Sequence, residues 1–169
     1  MWPYTEREWE FFDARRPRGE LAVRTLAMPA DTNPAGDIFG GWIMALMDSA
    51  GAITATKRAE GRVVTAAVSH IAFLRPVKVG DVVCCYTEIG TIGTTSITLH
   101  VEVWVLRQGR GARIKVTSAE FTFVALDDAG RPRRLAPASD VPARATPSPP
   151  LPARSEADGV GSASDSVWA

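Results

Sequence analysis

What this sequence lacks narrows its reading at once. Across 169 residues, 19 lysines and arginines are matched by 19 aspartates and glutamates, and the pI is about 6.7. The broad positive field that holds nucleic acid or an anionic membrane surface is therefore missing. No stretch approaches the roughly 18 uninterrupted apolar residues of a membrane span. Met1 to Arg16 mix Trp2, Tyr4, Trp9, Phe11 and Phe12 with Glu6, Glu8, Glu10 and Asp13, and so lack the apolar centre of a secretion signal. Cysteine is nearly absent: Cys84 and Cys85 are neighbours on an expected strand, where their side chains point to opposite faces. That geometry suits no disulfide and fits a reducing cytoplasm. The two histidines, His70 and His100, show no recognisable nucleophile or metal spacing, so no metal is expected.

What is present centres on the stretch from Asn33 to Ala52. It reads as a turn running into one long, nearly all-apolar helix, with Asp48 alone in its middle. Phe39, Ile43, Leu46, Met47, Ala50 and Ile53 follow the rhythm of a helix face pressed into a core. The other rows do not turn polar. Gly41, Ala45, Ser49 and Ala52 form a small-residue ridge, which predicts a helix covered on two sides, the second cover being another copy of the chain. Asp48 has Met44, Ala45, Gly51 and Ala52 at its helical neighbour positions, none of them basic. A carboxylate in apolar surroundings is a stronger base than one in water, and such acids concentrate at functional sites.

The helix is expected to end near Glu60-Gly61. A strand over 21–28 precedes it, and four strands follow over 62–74, 81–92, 95–107 and 113–126, separated by turn clusters such as Gly90 to Thr94. In the last strand Lys115, Thr117, Ala119, Phe121 and Phe123 alternate with Ile114, Val116, Ser118, Glu120 and Thr122. The fold class is α+β: a curved antiparallel sheet of about five strands wrapped around one central helix, its consecutive strands joined by hairpins. Residues 1–20 form an accessory arm, weakly patterned as an amphipathic helix, 21–135 the domain, and 136–169 a disordered tail rich in Pro, Ala and Ser. Exposed sheet edges and the second helix ridge both favour a homodimer.

Several blocks carry a family resemblance. These are Thr25 to Asn33, Gly36-Asp37-Ile38-Phe39-Gly40-Gly41-Trp42, Met47-Asp48, Phe73-Leu74-Arg75-Pro76-Val77 with Val79 to Val83, Gly93-Thr94-Thr95-Ser96, and Val101 to Val105. In this order they resemble the hotdog-fold acyl-CoA thioesterases, and within them the bacterial YciA type, over about Val23 to Leu135. Ser69 departs from that pattern, which is acidic there. The resemblance implies an acyl-CoA substrate, hydrolysis to a free fatty acid and coenzyme A, no separate cofactor, and a dimer assembled into a hexamer as a trimer of dimers. It also implies that Asp48 attacks the thioester carbonyl or activates the water that does, and that Asn33 helps hold the carbonyl or that water.

The amides of Gly40 and Gly41, at the helix start, lack partners inside the helix and suit an oxyanion hole. Gly40 and Asp48 lie about 12 Å apart along one helix, too far for one carbonyl to touch both, so the site is expected to be shared between two antiparallel helices of a dimer. For the phosphates of coenzyme A the candidates are Arg75, Lys78 and the turn Gly93, Thr94, Thr95, Ser96. Plain structural roles compete: an Asx turn at Asn33, a tight helix entry at Gly40 and Gly41, a hairpin turn at Gly93, and a helix-start acid at Asp37. Chain-length preference would depend on which of Val63, Val64, Ala66, Ile43 and Met47 line an acyl tunnel. Dehydration of hydroxyacyl thioesters would need a histidine at the helix start, where Phe39 stands. The other reading is a non-catalytic acyl-CoA sensor on the same fold.

Overall fold

The computed structural model describes residues 16–137. Most of the accessory arm and nearly all of the tail lie outside the described residues. Strand β1 (Glu20–Leu26) is followed by a turn of 3-10 helix at Pro29–Asp31, the helix α1 (Gly40–Ala59), and strands β2 (Val63–Phe73), β3 (Val82–Ile92), β4 (Ser96–Arg107) and β5 (Arg110–Ala125). The strands form one antiparallel sheet in the order β1-β3-β4-β5-β2, and α1 packs against all five.

The α+β architecture is the expected one, but not every neighbour is. Hairpins join β3 to β4 and β4 to β5, whereas β2 does not pair with β3: it adds to β5 at the far edge. The connection from Leu74 to Asp81 crosses to the other side of the sheet, pinned by the buried Asp81. Its carboxylate accepts from the Lys78 amide at 2.9 Å and pairs with Arg107, whose guanidinium also donates to the Pro76 carbonyl.

Ile43, Met47, Ala50, Ala55 and Ala59 of α1 are buried against Val83, Cys85, Leu99, Val101, Val103, Phe121 and Phe123 of the sheet. Here two expectations fail. Phe39 and Ile53 are half exposed, at 50% and 53%, and Gly51 belongs to the core face instead. The helix is apolar on more than one row, so its periodicity alone cannot choose the row that meets the sheet. Gly51 does: a Cβ there would lie 2.7 Å from the Phe123 ring, so the sheet approaches closest where the side chain is missing.

Lys115 also departs from its expected face. A bulge inserts Val116 between the pairs Val103↔Thr117 and Trp104↔Lys115, turning Lys115 to the outer side of the sheet and Val116 into the core. There the buried Lys115 ammonium pairs with buried Glu102 at 2.9 Å, and Glu102 also accepts from the Trp104 indole at 2.9 Å. Cys84 lies with Trp104 and Tyr86 on that outer side and Cys85 in the helix-side core, both as free thiols. Burial, reinforced by the neighbouring Cys84, pushes the Cys85 thiol up to about 12.

Candidate functional site

The flank of α1 beside its buried row carries Gly41, Ala45 and Asp48, spaced to fall on one face, with Asp48 at its β2 side. Gly41 and Ala45 are exposed and Asp48 is half-buried. The carboxylate Oδ1 of Asp48 accepts the Thr65 hydroxyl of β2 at 2.5 Å. That hydrogen bond fixes the rotamer from outside the helix and leaves Oδ2 without a described partner. Thr65 is not a helical neighbour of Asp48 but stands 17 residues further along the chain. The sequence signal for it is its place on the same face of β2 as Val63, which packs against the core.

At the start of α1 no side chain caps the helix and no acid stands in its first turn. The Phe39 carbonyl takes the amides of Trp42 and Ile43, at 3.1 and 3.3 Å, so those of Gly40 and Gly41 have no acceptor among the described residues. A Cβ on Gly41 would meet nothing within 4 Å, so the fold of this chain does not itself require glycine there. At Gly40 the same atom would come 3.4 Å from the tip of the Phe73 ring.

Asn33 forms the Asx turn that its plain reading expects. Its side-chain oxygen accepts the amides of Ala35 at 2.9 Å and Asp37 at 3.1 Å, while its Nδ2 donors meet no described residue. Asp37 is not a first-turn acid but the ion-pair partner of Lys78. Lys78, a phosphate candidate by sequence, has its charge answered in the fold by Asp37.

The four-residue turn and the cations are not brought together. Arg75 lies beside the helix start, in the lining of a cavity with Gly40, and donates to the Lys115 carbonyl at 2.9 Å. Gly93 and Thr94 lie near the helix end, where they line a cleft with Arg58 and Arg134. Thr94 and Thr95 spend their carbonyls on Leu135 and Ala125, and Gly93 donates to Ser96 at 2.8 Å. A 20-residue helix separates the two groups by roughly 30 Å. Of the five expected tunnel residues only Ile43 lines the cavity at the helix start, and Met47 is sealed in the core. His70 and His100 both face Glu120 on the outer side of the sheet, at 3.4 Å each.

The sequence and the fold match a known group of proteins. A model of the thioesterase superfamily matches residues 35–112. The acyl-CoA thioester hydrolase YciA of Salmonella typhimurium is 57% identical over 122 residues, covering 70% of this chain and 92% of its own length. Among solved structures, the hexameric thioesterase y2039 from Yersinia pestis aligns with a TM-score of 0.70 at 57% identity, over 72% of this chain and 99% of its own. The hexameric broad specificity acyl-coenzyme A thioesterase HI0827 aligns with a TM-score of 0.69 at 52% identity, over 75% and 87%. The chain therefore belongs to the thioesterase superfamily of hotdog-fold proteins, with the YciA acyl-CoA thioester hydrolases among its relatives.

Proposed function

We propose that this chain is an acyl-CoA hydrolase, and that Asp48 and the Gly40 and Gly41 amides do its chemistry. The observation that carries the reading is the placing of a hydroxyl-held carboxylate and open helix-start amides on a helix flank that its own sheet leaves uncovered. The activity named for its relatives supplies the reaction. The amides polarise the thioester carbonyl and stabilise the oxyanion of the tetrahedral intermediate. Asp48 takes the proton of an attacking water and passes it to the sulfur as the C–S bond breaks, or it adds to the carbonyl itself. In the second route it expels the thiolate and forms a mixed anhydride that water then hydrolyses, that water supplying the thiol proton. Either way a free acid and coenzyme A result. Asn33 offers its Nδ2 donors to the carbonyl or the water. Water is the only co-substrate this scheme uses, and it needs no separate cofactor.

Along one helix the open amides and the acid are about 12 Å apart, so the scheme needs two antiparallel helices that place Gly40 of one protomer against Asp48 of the other. The half-exposed Phe39 and Ile53 and the unpaired edge of β2 suit a homodimer of that kind, and the solved relatives are hexamers. The same pairing brings the Arg75 end of one chain toward the Gly93 to Ser96 end of its partner, where coenzyme A phosphates would bind. No helix among the described residues is long and apolar enough to cross a membrane. With Cys84 and Cys85 free, we place the enzyme in the cytoplasm.

Release of free thiol from acyl-CoAs of short to long chain, with wild type and Asp48→Asn side by side, tests the scheme. Wild type turns over, and the variant loses about 10²-fold or more in kcat. Tight binding of an acyl-CoA with no turnover by wild type would instead identify a sensor. Turnover by Asp48→Asn at the wild-type rate would remove Asp48 from the chemistry.

A further inference from the structure

We infer that Phe73 sets the acyl-chain preference of this hydrolase by walling the cavity beside the oxyanion amides. The inference rests on the hydrolase reading above and adds to it where the acyl chain goes.

The cavity, of about 390 Å³, opens at the start of α1, and Gly40 is part of its lining. Ile38, Ile43, Leu74, Val77 and Val116 supply most of its wall, and Phe73 the side nearest Gly40. Phe73 ends β2 on the helix-facing side of the sheet, opposite Thr117. It is large and apolar yet 41% exposed, so its ring is not consumed by the core. Its backbone is fixed on both sides: Ala72 accepts the Thr117 hydroxyl at 2.6 Å, and the Leu74 amide donates to Val116 at 2.8 Å. A ring on a fixed strand end, next to the atoms that would bind the thioester oxygen, is well placed to limit what extends beyond that oxygen.

Two parts of the substrate could enter such a cavity: the acyl chain, or the amide-bearing arm of coenzyme A. The lining selects between them. Its polar side chains are Asp37, Thr117 and Arg75: Asp37 pairs with Lys78, the Thr117 hydroxyl donates to the Ala72 carbonyl, and the exposed Arg75 keeps donors beyond the one it gives the Lys115 carbonyl. Two amides buried past Arg75, among Ile38, Ile43, Val77 and Val116, would lose their water without gaining partners, whereas methylenes lose nothing. Each methylene that enters an apolar cavity strengthens binding by about fourfold until the wall is reached.

The test is kcat/KM over a series of saturated acyl-CoAs for wild type, Phe73→Ala, Phe73→Leu and Phe73→Trp, with inhibition by free coenzyme A measured on each. In wild type kcat/KM rises with chain length and then falls. Phe73→Ala should move the maximum to longer chains, raising the ratio of long-chain to short-chain kcat/KM. Phe73→Trp should move it to shorter chains, Phe73→Leu should stay near wild type, and inhibition by coenzyme A should not change. If Phe73→Ala does not fold, the Leu and Trp variants decide. A profile that keeps its shape while dropping equally at every length overturns the inference, as does weakened inhibition by coenzyme A without a change of shape. Failure of wild type to hydrolyse any acyl-CoA is a different result and would strike the hydrolase reading itself.

Discussion

The two ends of helix α1 are built in opposite ways. At its end Glu60, at φ 50° and ψ 45°, closes the helix by donating its amide to Thr56, and the Gly61 amide reaches the same carbonyl at 3.3 Å. Arg133 brings a guanidinium to the Ala59 carbonyl at 2.5 Å, and Lys57 and Arg58 in the last turn complement the dipole. A Cβ on Gly61 would lie 2.8 Å from that guanidinium and would have to displace it. At its start there is no cap, no acid and two bare amides. A helix that satisfies one end three times over and leaves the other open reserves the open end for something outside the chain.

The largest effect expected from disturbing this contrast is on activity at the open end. Gly41→Ala adds a methyl that meets nothing within 4 Å in this chain, so far-UV circular dichroism should be unchanged. If a thioester approaches the bare amides, that methyl stands in its way, and kcat/KM should fall about ten- to a hundredfold, as misplacement of a reacting group does. Oligomer mass is followed alongside, because the added methyl also faces the flank on which a second helix would pack. Wild-type kcat/KM in an intact oligomer would mean that the helix start is open for no chemical purpose.

Arg133→Ala is the converse experiment at the closed end. It removes a charged donor from the Ala59 carbonyl and, at 3.2 Å, from that of Leu126. The cost should be about 1.5–3 kcal/mol of stability, read from the urea midpoint. At temperatures where the variant is folded, kcat/KM should stay at the wild-type value. A loss of activity without a loss of stability would show that the closed end also serves the reaction.

How much of this was legible in the sequence depends on how far apart the partners are. The helix and the strands read off to within a few residues, because period and turn chemistry are local. The start of β5 was placed three residues late, since Arg110 to Ala112 join the hairpin through backbone pairing and have no apolar alternation to announce it. The bulge at Val116 shifts the phase within a run that looks perfectly regular. At the candidate site, the helix acid and its glycines stood out, but each partner was hidden by distance in the chain: Thr65 for Asp48, Lys78 for Asp37, Phe73 for Gly40. The order of strands was hidden for the same reason. Nothing local in β2 says that it passes its successor and pairs with β5.

The smallest expected effect comes from Glu60, and it separates strain from function. A residue with a Cβ in the left-handed region costs about 1–2 kcal/mol, which glycine would relieve. Glycine in turn loses about 0.5–1 kcal/mol more chain entropy on folding than a residue with a side chain. Glu60→Gly should therefore stabilise by only about 0.5 kcal/mol, a midpoint shift of about 1–2 °C for a chain of this size. The exposed Glu60 carboxylate also lies at the negative end of the helix dipole, so its removal pushes in the same direction. Both contributions stabilise and neither touches the open end, so kcat/KM should be unchanged. A destabilised Glu60→Gly would mean that the glutamate side chain holds something the cap geometry does not account for, and the closed end would then need its own functional explanation.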